Sequence, residues 1–188
     1  MRYTDSIERE RTQIGLRVAI VCSWLNQYGG AERVLEVVHA MYPEAPVYTS
    51  IFYPEALPAA YRDWDVRPSG LDRLPLIHRH HQWFLPLYPY AFEQFDFSDY
   101  DLVLSVTSAF AHGIITHPRT LHICYCLNPA RFLWDYHTYV ARERLGPLVR
   151  WVLPLLLSRL RIWDRLAADR VDNFVAISKT VRGRIRKH

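Results

Sequence analysis

Short, β-branched apolar runs recur along the chain, separated by stretches whose apolar positions repeat every three or four residues. Leu16–Cys22 is the first such run, and an uninterrupted apolar run predicts a strand buried on both faces. A loop over Ser23–Gly29 follows. Ala31, Val34, Leu35, Val38 and Met41 then fall on one helical face over Gly30–Tyr42, which Pro43 closes. Val47–Ile51 and Trp64–Arg67 read as strands, with a short helix over Pro54–Tyr61 between them. Arg73–Phe92 is proline-interrupted, irregular and partly helical. Asp101–Thr107 and Thr120–Cys126 are further strands. Pro147–Ala168 reads as a long helix, with a kink expected at Pro154. Asn173–Ile177 is the last strand, and Ser178 caps a basic helix over Lys179–Lys187. About six strands alternating with helices predict one Rossmann-like, three-layer α/β/α domain with a mainly parallel sheet covered on both faces. It spans residues 16–188. Residues 1–15 are expected to be an extension, either disordered or a short helix. The chain stops within a basic helix with no cap after it, which reads as a cut.

Composition narrows the function. With 188 residues, 50% of them hydrophobic and 14% aromatic, the chain can bury a core and is no disordered tail. The three cysteines, Cys22, Cys124 and Cys126, make no disulfide framework and fit a reducing cytoplasm. No apolar stretch reaches the roughly 20 residues that a bilayer span needs. Met1–Thr12 is charged with both signs and lacks the apolar core of a secretory signal. The net charge of +4 conceals a balance of +8 over residues 142–188 and −4 before them. Of the 23 basic residues, 21 are arginine, the better fork for phosphate and carboxylate. An Arg-biased genome gives the same count. The modest charge and the lack of a recognition motif argue against nucleic acid.

Four constellations could carry chemistry. Gly29-Gly30-Ala31-Glu32 opens the first helix, where close backbone approach and free N–H groups suit a phosphate. The same four residues also make a plain tight turn. Neither G-x-G-x-x-G nor the P-loop Lys-Ser/Thr is present, which disfavours NAD and ATP sites of those classes. His122–Arg131 is a strand running into a loop. Cys124 and Cys126 share one strand face with His122, as a buried pair does. Asn128 and Arg131 could meet a polar ligand there, or Arg131 could pair with Asp135. His78-Arg79-His80-His81, with Arg73, Trp83, Phe84, Tyr88 and Tyr90, reads either as a basic-aromatic membrane contact or as a helix packed on the core. Arg150, Arg159, Arg161 and Arg165 line a Leu- and Trp-rich helix. They face an anionic bilayer or simply solvent. No Ser-His-Asp order, paired-carboxylate motif or zinc signature supports hydrolysis.

Together these segments resemble the N-terminal half of a retaining GT-B glycosyltransferase of family 4, the glycosyl transferase group 1 type. The likeness rests on Arg17–Leu35, Pro46–Ile51, Phe92–Asp96, Tyr100–Ser105, Leu121–Cys126 and Asp169–Ser178. The Gly-Gly-Ala-Glu loop and the Asp-x-Phe-x-Ala-x-Ser run carry most of its specificity. The resemblance implies an acceptor-binding Rossmann domain facing a second domain that holds most of a nucleotide-sugar donor. It implies Gly29, Gly30, Ala31 and Glu32 at the donor diphosphate or the acceptor. Asn26, Asn128, Arg131 and Asp135 would then lie on the acceptor side, and Arg79, Trp83 and Phe84 would face a membrane. It further implies no metal or other cofactor, a glycan or lipid-linked acceptor, and a cytoplasmic location at the inner face of the plasma membrane. Two departures stand out. The family often has His-x-Pro where this chain reads Leu127-Asn128-Pro129, and the family's Glu-x7-Glu motif is absent along with the donor domain. This chain alone is therefore not expected to catalyse transfer. The alternative is an inactive binding module or partner subunit.

Overall fold

The computed structural model describes residues 15–135 and 147–188. The expected extension lies outside the described residues except for Gly15. Six strands form one sheet: β1 Val18–Cys22, β2 Val47–Thr49, β3 Val66–Pro68, β4 Leu102–Thr107, β5 Leu121–Cys126 and β6 Asn173–Ala176. They run in the order β3-β2-β1-β4-β5-β6, and every pairing is parallel. The helices are α1 Gly30–Met41, α2 Ile77–His80, α3 Tyr88–Glu93, α4 Arg131–Trp134, α5 Pro147–Ala168 and α6 Lys179–Lys187. Pro154 sits inside α5.

Local chemistry explains where the elements depart from the pattern. The helix expected over Pro54–Tyr61 is two 3₁₀ turns, Pro54–Ala56 and Ala59–Asp63. Pro58 holds Leu57 extended and breaks the run. Arg73–Phe92 resolves into α2, a 3₁₀ stretch over His81–Leu87 and α3. Leu76 enters α2 in the left-handed region, with φ of 66°. On α5, Leu157, Leu160 and Ala167 are buried at helical spacing, but Leu155, Ile162 and Leu166 are exposed. The arginines do not simply line the outer face. Arg161 Nε donates to the Leu133 carbonyl at 2.6 Å, and Arg165 pairs with Asp169 at 2.6 Å.

Alternate positions of the central strands feed two cores. Ala19, Val21 and Val103 pack with Ile77, Tyr88, Phe92, Phe110 and Leu157 on one face. Ile20, Cys22 and Val47 pack with Leu35 and Tyr61 on the other, beneath α1. Each such Val, Leu, Ile or Phe side chain contributes about 1.5–3 kcal/mol on burial. Gly113 follows β4 directly beneath Trp163, whose ring would overlap any added Cβ. Trp163 is itself held by donating Nε1–H to Glu93 at 2.8 Å.

Both faces of the sheet carry packed elements, as the pattern predicts, but among the described residues the cover is uneven at β5 and β6. β1 is buried throughout, but burial alternates along β5 and β6. Leu121, Val175 and Ile177 are exposed on the face that carries α1. The reason is topological. α1 and the 3₁₀ turns over residues 54–63 cover β1–β3, whereas the described helices after β3 pack over the opposite face.

Candidate functional site

Neighbouring connections diverge between β1 and β4, so a crevice opens at their carboxyl ends. The loop after β1 is anchored there by its backbone. Leu25 N–H donates to Ile51 O at 2.9 Å, and Tyr53 N–H donates to Leu25 O at 2.8 Å. Gly29 is the cap of α1, and the Glu32 carboxylate turns back to accept its N–H at 2.8 Å. This is the reciprocal half of a capping box. Tyr61 hydroxyl donates to the Glu32 carbonyl at 3.0 Å and fixes the same turn. Glu32 is buried, and burial raises its carboxyl pKa above the ordinary value. Beneath it lies a cavity of about 20 Å³, lined by Cys22, Ser23, Glu32 and Ser108 among others. That is room for a single water. Ser23 borders it, 5% exposed, with a buried hydroxyl that makes no hydrogen bond among the described residues.

Glu32 thus occupies part of the positive end of α1. Among the described residues, the Gly30 and Ala31 N–H groups have no protein partner. Gly30 is exposed and its φ is not left-handed. A Cβ built on it would meet nothing within 4 Å. The fold itself therefore gives no packing or left-handed-backbone reason for glycine at this position. At Gly29 an added Cβ would lie 3.3 Å from the Glu32 carboxylate, which would have to give way.

Asn26 reaches the same end of the sheet, where its side-chain amide bonds His81 Nδ1 at 3.2 Å. Trp24 lies against that imidazole, with ring centroids 5.7 Å apart. Burial lowers the His81 pKa, which favours the neutral ring. The sequence signals His81 only as one of a histidine run, and the run separates. His78 approaches Asp72 at 3.6 Å, and His80 stacks on Trp83 at 4.3 Å. Among the described residues, no group of three or more His, Cys, Asp or Glu could hold a metal ion.

The β5 candidates lie in separate surroundings. Asn128 accepts from Arg184 on α6 at 2.7 Å. Arg131 and Asp135 are both exposed and form no ion pair with each other. Leu127 packs partly buried against the core beneath α1. Beside Asn128, a cavity of about 40 Å³ is lined by His112, Cys126, Trp134 and Asp164, with other residues. Trp134 Nε1–H donates to Asp164 at 2.7 Å, and His112 Nε2 lies 3.4 Å from the other carboxylate oxygen. No sequence motif marks this cluster, because its members come from a 3₁₀ turn, α4 and α5. Burial pushes the Cys22 and Cys126 thiols up to about 12 and also raises Cys124. All three cysteines are free, buried and protonated, and therefore poor nucleophiles.

On the segment around His81, Arg79 is exposed and Trp83 is 69% exposed. Leu76, Leu87 and Tyr90 are also exposed on this segment, whereas Phe84 is partly buried against the main core. No helix among the described residues is long and apolar enough to cross a membrane.

A parallel sheet in this strand order, with a glycine-led helix at the switch point, defines a Rossmann-like α/β domain. No family model, curated protein or solved structure matches the chain.

Proposed function

We propose that the chain is the acceptor-side domain of a retaining GT-B glycosyltransferase. In this reading a sugar passes from a nucleotide-sugar donor to a glycan or lipid-linked acceptor, in the synthesis of a surface polysaccharide or glycolipid. The observation that carries the proposal is Gly30, a glycine with no conformational or packing reason at the start of a helix in the switch-point crevice. Two first-turn N–H groups without protein partners suit one oxygen of a diphosphate. Asn26 and His81, linked on the β1 side of the crevice, supply polar groups for an acceptor hydroxyl. The donor domain would close over this edge and supply the rest of the site. On this reading the diphosphate leaving group handles charge and proton, with neither metal nor nucleic acid involved. Titrating the chain with a panel of nucleotide sugars, UDP-glucose and GDP-mannose among them, tests the proposal. Amide shifts should concentrate at Gly29, Gly30 and Ala31. Tight binding of NAD with no response to any nucleotide sugar would overturn it.

Leu127 favours the second reading, an inactive binding module or partner subunit. At the position where the family often has histidine, this chain has a side chain packed against the core. Nucleotide-sugar binding without transfer, even with a donor domain supplied, would select that reading.

Peripheral contact with an anionic membrane at the cytoplasmic face belongs to the same proposal. Residues 73–92 contain no Asp or Glu, and they expose Arg73, Arg79, Leu76 and Trp83. Flotation with phosphatidylglycerol vesicles should weaken about tenfold when Arg79 and Trp83 are both replaced by alanine, and should fall with added salt. Phe84 stays in place because it packs on the core. Flotation unchanged by the double replacement would remove this surface from consideration.

A further inference from the structure

The start of α1 already carries one anion, a carboxylate of its own. Glu32 turns back over the first turn, and its Oε2 accepts the Gly29 N–H at 2.8 Å. Glu32 is 4% exposed, and among the described residues it forms no ion pair. Arg33, next along the helix, lies instead over Tyr28, with its guanidinium carbon 5.7 Å from the ring centre. The titratable groups around Glu32 are Glu36 on α1, Cys22 on β1 and the Tyr61 hydroxyl, which donates to the Glu32 carbonyl. The loop after β4 contributes Ser108, which carries no charge. None of these groups is a cation. A second, independent feature lies beneath. Ser23 is 5% exposed, and its hydroxyl makes no hydrogen bond among the described residues, yet Ser23 lines the same small cavity as Glu32. Buried hydroxyls are seldom left unpaired. This oxygen can accept from a neutral Glu32 carboxyl, directly or through the one water that the cavity admits.

We propose that Glu32 is a proton-linked latch on the anion site: a phosphate that takes the Gly30 and Ala31 N–H groups makes Glu32 bind one proton from solvent, and the neutral carboxyl donates it towards Ser23. The latch rests on the reading of this helix start as a phosphate site. Its cause is electrostatic. A like charge a few ångströms away disfavours the charged form of a carboxyl. Charged Glu32 repels a phosphate and offsets part of the positive helix end, whereas neutral Glu32 does neither. Burial already holds this carboxyl above its ordinary pKa in the free chain, and a bound anion raises it further. Between the free and the bound pKa, binding takes up a proton. Affinity therefore rises as pH falls through that window, by up to about tenfold per pH unit, and is level on either side of it.

Sulfate and UDP-glucose are the probes, since neither has a group that titrates near neutrality. Carbon NMR follows the Glu32 carboxyl, and amide NMR follows Gly29–Ala31, in the 188-residue chain. Each probe should raise the Glu32 pKa by about one unit and bind about tenfold more tightly at about pH 5 than at about pH 8. Glu32→Gln should remove most of that dependence, because the amide still accepts the Gly29 N–H but cannot titrate. The variant keeps His81, which also gains charge in acid, so the difference between the two proteins belongs to Glu32. An unchanged pH dependence in Glu32→Gln overturns the latch. UDP-glucose that moves the amides without moving the Glu32 titration also overturns it, and leaves the glycosyltransferase reading standing. Coupling of Glu32 to sulfate, with no response to UDP-glucose or GDP-mannose, upholds the latch and counts against that reading. If no probe moves the Gly29–Ala31 amides, both fall.

Discussion

Gly30→Val should abolish nucleotide-sugar binding while leaving the fold intact. A Cβ at this exposed position meets nothing within 4 Å outside its own turn of helix. The backbone there is not left-handed, and valine is a slightly better helix residue than glycine, so stability should change by no more than about 0.5 kcal/mol. The loss falls on the ligand. A branched side chain holds a phosphate oxygen away from the Gly30 and Ala31 N–H groups. Charge-assisted bonds of this kind contribute about 1.5–3 kcal/mol each, so losing contact with both N–H groups weakens binding by roughly a hundredfold or more. Gly30→Ala should fall between the two, since its smaller side chain obstructs only the closest approach. Melting temperatures and nucleotide-sugar affinities of the three proteins, measured side by side, check this. Full affinity in the valine variant would remove the phosphate role. A large drop in melting temperature would instead show that the fold needs this glycine.

Periodicity foretold the strands because a doubly wound sheet requires continuous apolar runs through its centre. Val18–Cys22 is buried throughout, as such a run implies. The same rule overstates burial at β6, whose apolar residues read alike whether or not a layer covers them. Sequence alone could not show that the helices after β3 gather on one face, because that follows from crossover geometry. The Gly29–Glu32 segment was legible as a glycine-led helix start. Its main qualification was not, since Glu32 folding back onto Gly29 N–H partly neutralises the very end that would hold a phosphate. His81 illustrates a third limit. Three neighbouring histidines looked like one cluster, but a helical turn sends them towards Asp72, Trp83 and Asn26 respectively. Only His81 reaches the end of the sheet where the crevice opens. The cluster of His112, Trp134 and Asp164 left no trace in sequence because its members are scattered across three elements.

Acid should destabilise this domain through His122. The imidazole is fully buried on β5 and bonds Ser105 hydroxyl at 2.8 Å. Burial, with a smaller contribution from nearby His112, depresses its pKa from 6.5 to about 4. An unfolded chain therefore takes up a proton at this residue through the window from 6.5 down to about 4, where the folded chain does not. Stability rises with pH wherever the unfolded state binds more protons, so it falls as the solution is acidified across that window. The full shift corresponds to about 3 kcal/mol, a large share of the 5–15 kcal/mol that holds a typical domain folded. His39 and His81 are also depressed by burial and act in the same direction. Glu32 acts in the opposite direction, because its raised carboxyl pKa lets the folded state take up a proton first. His122→Gln separates these contributions. The amide retains a partner for Ser105 and cannot titrate. Urea unfolding followed from about pH 7 to about pH 4 should show the wild type losing about 3 kcal/mol more than the variant. Parallel curves for the two proteins would mean that His122 is already protonated in the folded state, held by Asp172 beside it.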